Sequence, residues 1–182
     1  MSAFHVLTIQ STLSLIAFSL IARWHVAPHV TRLSRADALV ALLWVQVFRY
    51  APLTLYAPGQ VDPRIPADVA AAVALGDLAS GLVALLALLA LKLRVPGATA
   101  LVWIFTVVGL GDLILATLKA VGAQMYTFAM GWNWYILNFY VPMLVVGHIT
   151  IIWILTRAWN TELQTTSAAQ YDLRRSLLQR TT

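Results

Sequence analysis

Five stretches of this chain are apolar and long enough to cross a bilayer, which restricts the fold to a helical bundle. They run from about Ala3 to Ala22, Asp37 to Tyr56, Val69 to Leu91, Thr99 to Ala120 and Trp134 to Leu155. A span needs about 20 residues, because a helix rises about 1.5 Å per residue and the hydrocarbon core is about 30 Å thick. In hydrocarbon every backbone N–H and C=O must find its partner inside the protein, and a helix supplies those partners within one segment. Composition agrees. The 182 residues are 60% hydrophobic and 10% charged, with a mean hydropathy of +0.80, whereas a soluble domain carries about 25% charged residues. The fold expected is all-α: one five-helix transmembrane domain over residues 1–156, followed by a polar, basic tail over 157–182.

The basic residues set an orientation. Arg23, Arg32 and Arg35 follow the first stretch, Lys92 and Arg94 follow the third, and Arg157, Arg174, Arg175 and Arg180 follow the fifth. In a five-span chain these segments share one side, which the positive-inside rule makes cytoplasmic. The N-terminus is then outside and the C-terminus inside. The net charge of +5 is accounted for by topology, and no nucleic-acid partner is implied. No Lys or Arg precedes the first stretch, so it reads as a retained helix rather than a cleaved leader. The absence of cysteine excludes disulfides, thiolate metal sites and cysteine nucleophiles.

Against this background three charges stand out. Arg49, Asp77 and Asp112 lie inside the second, third and fourth stretches. A charge at the centre of a membrane helix costs about 2.5–3.5 kcal/mol on insertion scales. Given the orientation, each falls about seven or eight residues from the outer end of its helix, roughly 10–12 Å deep at about 1.5 Å per residue. They therefore share a layer, and an arginine beside two aspartates offsets much of its cost through charge-assisted hydrogen bonds. One arginine balances one carboxylate, so either Lys119, two turns beyond Asp112, balances the second or one aspartate is held protonated by desolvation.

Further polar groups fall near this layer. Gln46 and Tyr50 flank Arg49, and Asn138 on the fifth helix lies at the same level. His148 is expected deeper, near or past the midplane, with Pro142 kinking the helix between them. The polar first half of helix one, from His5 to Ser14, completes the layer. Gly76, Gly81, Gly109 and Gly111 let helices approach closely. No second histidine lies at the depth of His148, so haem is not expected. His25 and His29 are set beside Pro28 in a loop, and no metal site or other cofactor is expected.

The connectors are less informative. The segment from Ala57 to Asp68 is broken by proline and glycine. With the aromatic segment from Tyr126 to Tyr135 it forms either a lid or plain connectors. In the tail, Ser167 and Gln170 have the spacing of a capping box. Leu173, Leu177 and Leu178 alternate with arginines, as in a short basic helix on anionic lipid or a frayed end.

The patterns FRYAPLTLYAPG, GDLASG, GLGDL and VPMLVVGH resemble those of small multi-pass bacterial integral membrane proteins of unassigned function. The resemblance implies the bacterial inner membrane and brings no activity with it. There is no HExxH, GxSxG or phosphate-loop pattern. Three functional readings follow. The first is an outward-opening intramembrane pocket that binds or transports a small molecule, an ion or a proton. In it Arg49 holds an anionic group or pairs with Asp77, Asp112 responds to a proton or cation, and His148 marks the deeper end. The second is an accessory subunit of a larger membrane complex whose charges serve assembly. The third is an intramembrane enzyme acting on a lipid or isoprenoid, with Asp77, Asp112 and His148 as acid–base groups.

Overall fold

A computed structural model describes residues 1–157. It is all-helical, with five helices long and apolar enough to cross a membrane: α1 (Ala3–Val30), α2 (Arg35–Tyr56), α3 (Ala67–Lys92), α4 (Ala98–Gly122) and α5 (Asn133–Thr156). A 3₁₀ turn, Met125–Thr127, lies between the last two. The tail over 158–182, with the expected basic helix, lies outside the described residues.

Local chemistry explains the ends. Ser2 caps α1 by accepting from the His5 N–H, and Ser34 caps α2 by accepting from the Asp37 N–H at 3.2 Å; both satisfy N–H groups that a helix start leaves unbonded. Gly97, at φ +82°, supplies the left-handed turn from α3 into α4 that other residues adopt at a cost.

Neither Pro28 nor Pro142 ends its helix. α1 continues past Ala22 to Val30, so the segment with His25, Pro28 and His29 is helical rather than a loop. A π turn, Ala22–Val26, precedes Pro28, and a second, Ile136–Tyr140, precedes Pro142. In both, one residue separates the turn from the proline. Proline lacks an N–H and crowds the carbonyl four residues back; a turn closed by i→i+5 bonds widens the helix where that crowding falls.

The bundle is built around α3. Its buried residues, Ala70, Ala74, Asp77, Ser80, Gly81, Ala84, Ala87, Leu88 and Leu91, recur every three or four positions and form one inward stripe. Small side chains there let α2 and α4 pack closely on either side. Two apolar cores result. One gathers Leu39, Leu43, Ala84, Leu88, Phe105 and Ile151 towards the 93–97 turn. The other gathers Leu55, Ile65, Val69, Ala74, Met125 and Met130 beneath the opposite loops. Those loops are tied together, since the Asp62 N–H donates to the Ala129 carbonyl at 2.8 Å.

α1 is peripheral. Only 6% of its spanning window is buried, and it packs on α5 and the 125–127 turn. Ser11 donates to Asn138 Oδ1 at 3.1 Å, and Trp134 Nε1 donates to Gln10 at 2.9 Å.

Candidate functional site

Between the two cores the bundle holds an ionic cluster centred on Arg49, which is fully buried. Arg49 lies where α2 passes from its α-helical part into a 3₁₀ segment, Phe48–Tyr56, that contains Pro52. Gly81 receives this segment, because a Cβ there would stand 3.1 Å from the Val47 carbonyl oxygen. All three guanidinium nitrogens are engaged. Nε donates to Asp77 Oδ1 at 2.7 Å and Nη2 to Asp112 Oδ2 at 2.6 Å. Nη1 donates to the Gly109 carbonyl at 3.0 Å and lies 3.3 Å from His148 Nε2. Asp77 Oδ1 is also 2.7 Å from Nη2, so one oxygen spans two nitrogens.

Each partner is positioned by a recognisable local feature. Asp77 is on the inward stripe of α3, with Ser80 one turn on; the Ser80 hydroxyl donates to Asp112 Oδ2 at 3.3 Å. Asp112 lies against Gly76, where no Cβ fits beside its carboxylate. On α4, Gly109 clears the space for both other groups, since a Cβ would come within 2.8 Å of His148 Cε1 and 2.9 Å of Arg49 Nη1. His148 is fully buried and stacks on Phe105, with ring centroids 4.9 Å apart. A guanidinium has only donors, so the imidazole Nε2 accepts and the ring proton sits on Nδ1. That Nδ1 has no hydrogen-bond partner.

The cluster departs from the sequence expectations in several ways. Lys119 is exposed and forms no ion pair with Asp112; Arg49 takes both carboxylates instead. A guanidinium presents donors along three directions, so one arginine bridges what two cations were expected to share. Tyr50 points out of the cluster, is 47% exposed and packs against the Phe48 ring. Asn138 is buried but accepts from Ser11 on α1 and donates to the Trp134 carbonyl at 2.8 Å, outside the cluster. In the polar half of α1, Gln10 and Ser11 bond α5, while His5 pairs with Ser2 and Thr8 donates to the Phe4 carbonyl of its own helix. Gln46 is fully buried; its Nε2 donates to the Leu144 carbonyl at 3.2 Å, and its Oε1 has no partner. His148, expected below the charged layer, is in contact with the Arg49 side chain. A straight-helix count omits the reach of the arginine side chain, and the π turn in α5 shifts its register.

Ser80 and Asn133 are not singled out by the sequence pattern. Ser80 is recoverable from it, being three residues from Asp77 on the same helix face. Asn133 sits at the start of α5 among tryptophans, with no periodicity to mark it. It is buried, and its side-chain amide is hydrogen-bonded to the Thr54 hydroxyl at 2.9 Å, which also lies 2.9 Å from the Ala51 carbonyl.

A cleft of about 520 Å³, open mouth included, has Asp77 in its wall and Pro52, Leu55, Met130 and Asn133 towards the 57–66 and 123–132 loops. Among the described residues no group of three or more His, Asp or Glu is arranged for a metal ion.

The chain belongs to the family described as Domain of unknown function (DUF8737), which matches residues 6–156, essentially the whole five-helix region. No curated protein and no solved structure matches it.

Proposed function

We propose that this is a multi-pass protein of the bacterial inner membrane that binds or transports a small molecule, an ion or a proton through an intramembrane polar pocket. One observation carries the reading. Arg49 holds both Asp77 and Asp112, so the three formal charges sum to −1 in an otherwise apolar bundle. A surplus charge at such a place is neutralised by a proton or a cation, and intramembrane ionisable groups of this kind mark ion and substrate paths. Arg49 is saturated and acts as a positioning residue rather than an anion site. Asp112 is the responsive member: its side chain is 14% exposed, against 5% for Asp77. Arg23, Arg32, Arg35, Lys92 and Arg94 place the 93–97 turn in the cytoplasm by the positive-inside rule, so the cleft opens outward. The reading assigns no cofactor and no nucleic-acid partner.

The test is infrared difference spectroscopy of the protein in lipid nanodiscs over a pH titration. A carboxyl band that comes and goes with pH and vanishes in Asp112→Asn supports the reading. A titration unchanged in both Asp112→Asn and Asp77→Asn overturns it. A second reading, an accessory subunit stapled by its charges, draws on the full engagement of Arg49. It is favoured if Arg49→Gln, Asp77→Asn and Asp112→Asn lower thermal stability equally and no carboxyl titrates.

A further inference from the structure

A small molecule, a metal cation and a proton make different demands on the pocket, and its dimensions and oxygens choose among them. The cleft beside Asp77 measures about 520 Å³ only with its open mouth; the room for a molecule in it is about 50 Å³. A water molecule takes about 30 Å³ in the liquid. This is space for a water or two and not for an organic solute.

A metal cation needs several oxygens in place of its hydration shell, about six to eight for calcium. The two carboxylates carry four oxygens, and three are taken. Asp77 Oδ1 lies 2.7 Å from both Nε and Nη2 of Arg49. Asp112 Oδ2 accepts from Arg49 Nη2 at 2.6 Å and from the Ser80 hydroxyl at 3.3 Å. Asp112 Oδ1 is packed on Gly76, in the place a Cβ would occupy. Asp77 Oδ2 alone makes no hydrogen bond among the described residues, and one oxygen beside a guanidinium does not hold a metal. A proton asks for one oxygen lone pair.

The two acids also behave as one group. Asp77 Oδ1 and Asp112 Oδ2 meet the same Arg49 Nη2, at 2.7 and 2.6 Å, close enough for two carboxylates to titrate together. The groups near them on the packed helices are Arg49 of α2, Ser80 of α3, and His148 and Tyr140 of α5. Of these only Arg49 carries charge: His148 accepts from it, and the Tyr140 hydroxyl donates to the Val45 carbonyl at 2.8 Å. Tyr50 points away, and His5 of α1 is bonded to Ser2 at 2.6 Å. Lys119 makes no ion pair among the described residues. The surplus charge is left for a proton.

We infer that the species this cluster takes up is a single proton, shared by Asp77 and Asp112 and exchanged with water in the small room beside Asp77. Hydronium gives up the proton, an O–H bond forms on the acid pair, and water is left. The inference rests on the pocket reading above and names its ligand.

The test titrates the full chain in nanodiscs by infrared spectroscopy and proton counting, first with N-methylglucamine as the sole cation besides the proton. Sodium, potassium, magnesium and calcium are then added in turn at constant ionic strength. The expected result is a carboxyl band that titrates at the same pH in every salt. Asp77→Asn and Asp112→Asn each bring the cluster to zero charge, so each is expected to abolish the band and the one proton bound with it. Ser80→Ala spares both acids and Arg49, which keeps the test open if an asparagine variant fails to fold. It removes one hydrogen bond from Asp112 and is expected to move the midpoint by about half a pH unit; an unmoved midpoint overturns the assignment to this pair. A midpoint that falls by about one pH unit per tenfold rise in a metal marks one-for-one exchange. The metal is then the ligand, the inference is overturned and the pocket reading stands. A band lost in Asp112→Asn but kept in Asp77→Asn overturns the sharing and also leaves the pocket reading standing. No titrating carboxyl in any medium overturns both.

Discussion

Arg49 donates to the Gly109 carbonyl at 3.0 Å, and the same Nη1 would lie 2.9 Å from any Cβ placed on Gly109. The hydrogen bond and the bare α-carbon are two sides of one requirement: the arginine crosses the bundle only where α4 has no side chain. Gly109→Ala is therefore expected to destabilise the protein by about 1–3 kcal/mol, as overpacked cores do. On the same helix, a methyl group placed on Gly111 or Gly122 would meet nothing within 4 Å. Alanine at either is expected to be neutral or to stabilise by up to about 1 kcal/mol through helix propensity. Unfolding in mixed micelles measures all three, and a stabilised Gly109→Ala would sink the packing argument.

Removing the arginine is expected to cost more than removing either acid. Arg49→Gln leaves two buried carboxylates facing each other, a loss of about 3–5 kcal/mol by analogy with broken buried pairs. Arg49→Lys is not expected to rescue it, because an ammonium cannot reach Asp77, Asp112, Gly109 and His148 at once. Thermal unfolding that places Arg49→Lys level with the wild type would refute this.

Gln46 presents the opposite case. It makes one long hydrogen bond to Leu144 and leaves Oε1 unpaired. Replacing a half-satisfied buried amide by a similar apolar group is close to neutral, so Gln46→Leu is expected to change stability by less than about 1 kcal/mol. A loss as large as that of Arg49→Gln would show that Oε1 has a partner in the bilayer.

The loops give a pH control. Hydrogen bonds from the Arg64 side chain and backbone hold the Asp62 carboxyl down at about 2. A group whose folded value is depressed stabilises above its unfolded value, about 3.9, and that contribution is lost as pH falls through the folded value. Asp62 therefore contributes no pH dependence above about pH 5. The protection factor of the Asp62 amide, whose N–H bonds Ala129, is expected to fall only in strong acid. A loop that loosens near neutral pH would contradict this.

Because the chain lacks cysteine, single cysteines report topology cleanly. Gln60→Cys is expected to react with an impermeant maleimide from outside intact cells, and Val95→Cys only after lysis. The reverse pattern would overturn the orientation.

How much is legible in the sequence follows from where each signal is stored. The five helices are readable to within a few residues, except α1, because apolar length is a property of each segment. α1 runs on past its expected end because a π turn absorbs the proline that would otherwise stop it. The inward face of α3 is also written in the chain, as Ala, Gly, Ser and Asp at three- and four-residue intervals. The partners are less legible. The pattern pairs Lys119 with Asp112 and draws Asn138 and Tyr50 into the layer, because counting residues gives depth along a helix but not the direction in which a side chain leaves it.

The sequence by itself determined that five apolar helices form and that three of them carry a charge at similar depth. Only the tertiary structure decided that one arginine holds both aspartates, that Gly109 makes room for it, that His148 meets it, and that Asp77 and Asn133 face one cleft. Helix formation is governed by contacts within a segment. Hydrogen bonds between helices depend on rotation, register and side-chain reach, which close only when all the helices pack at once.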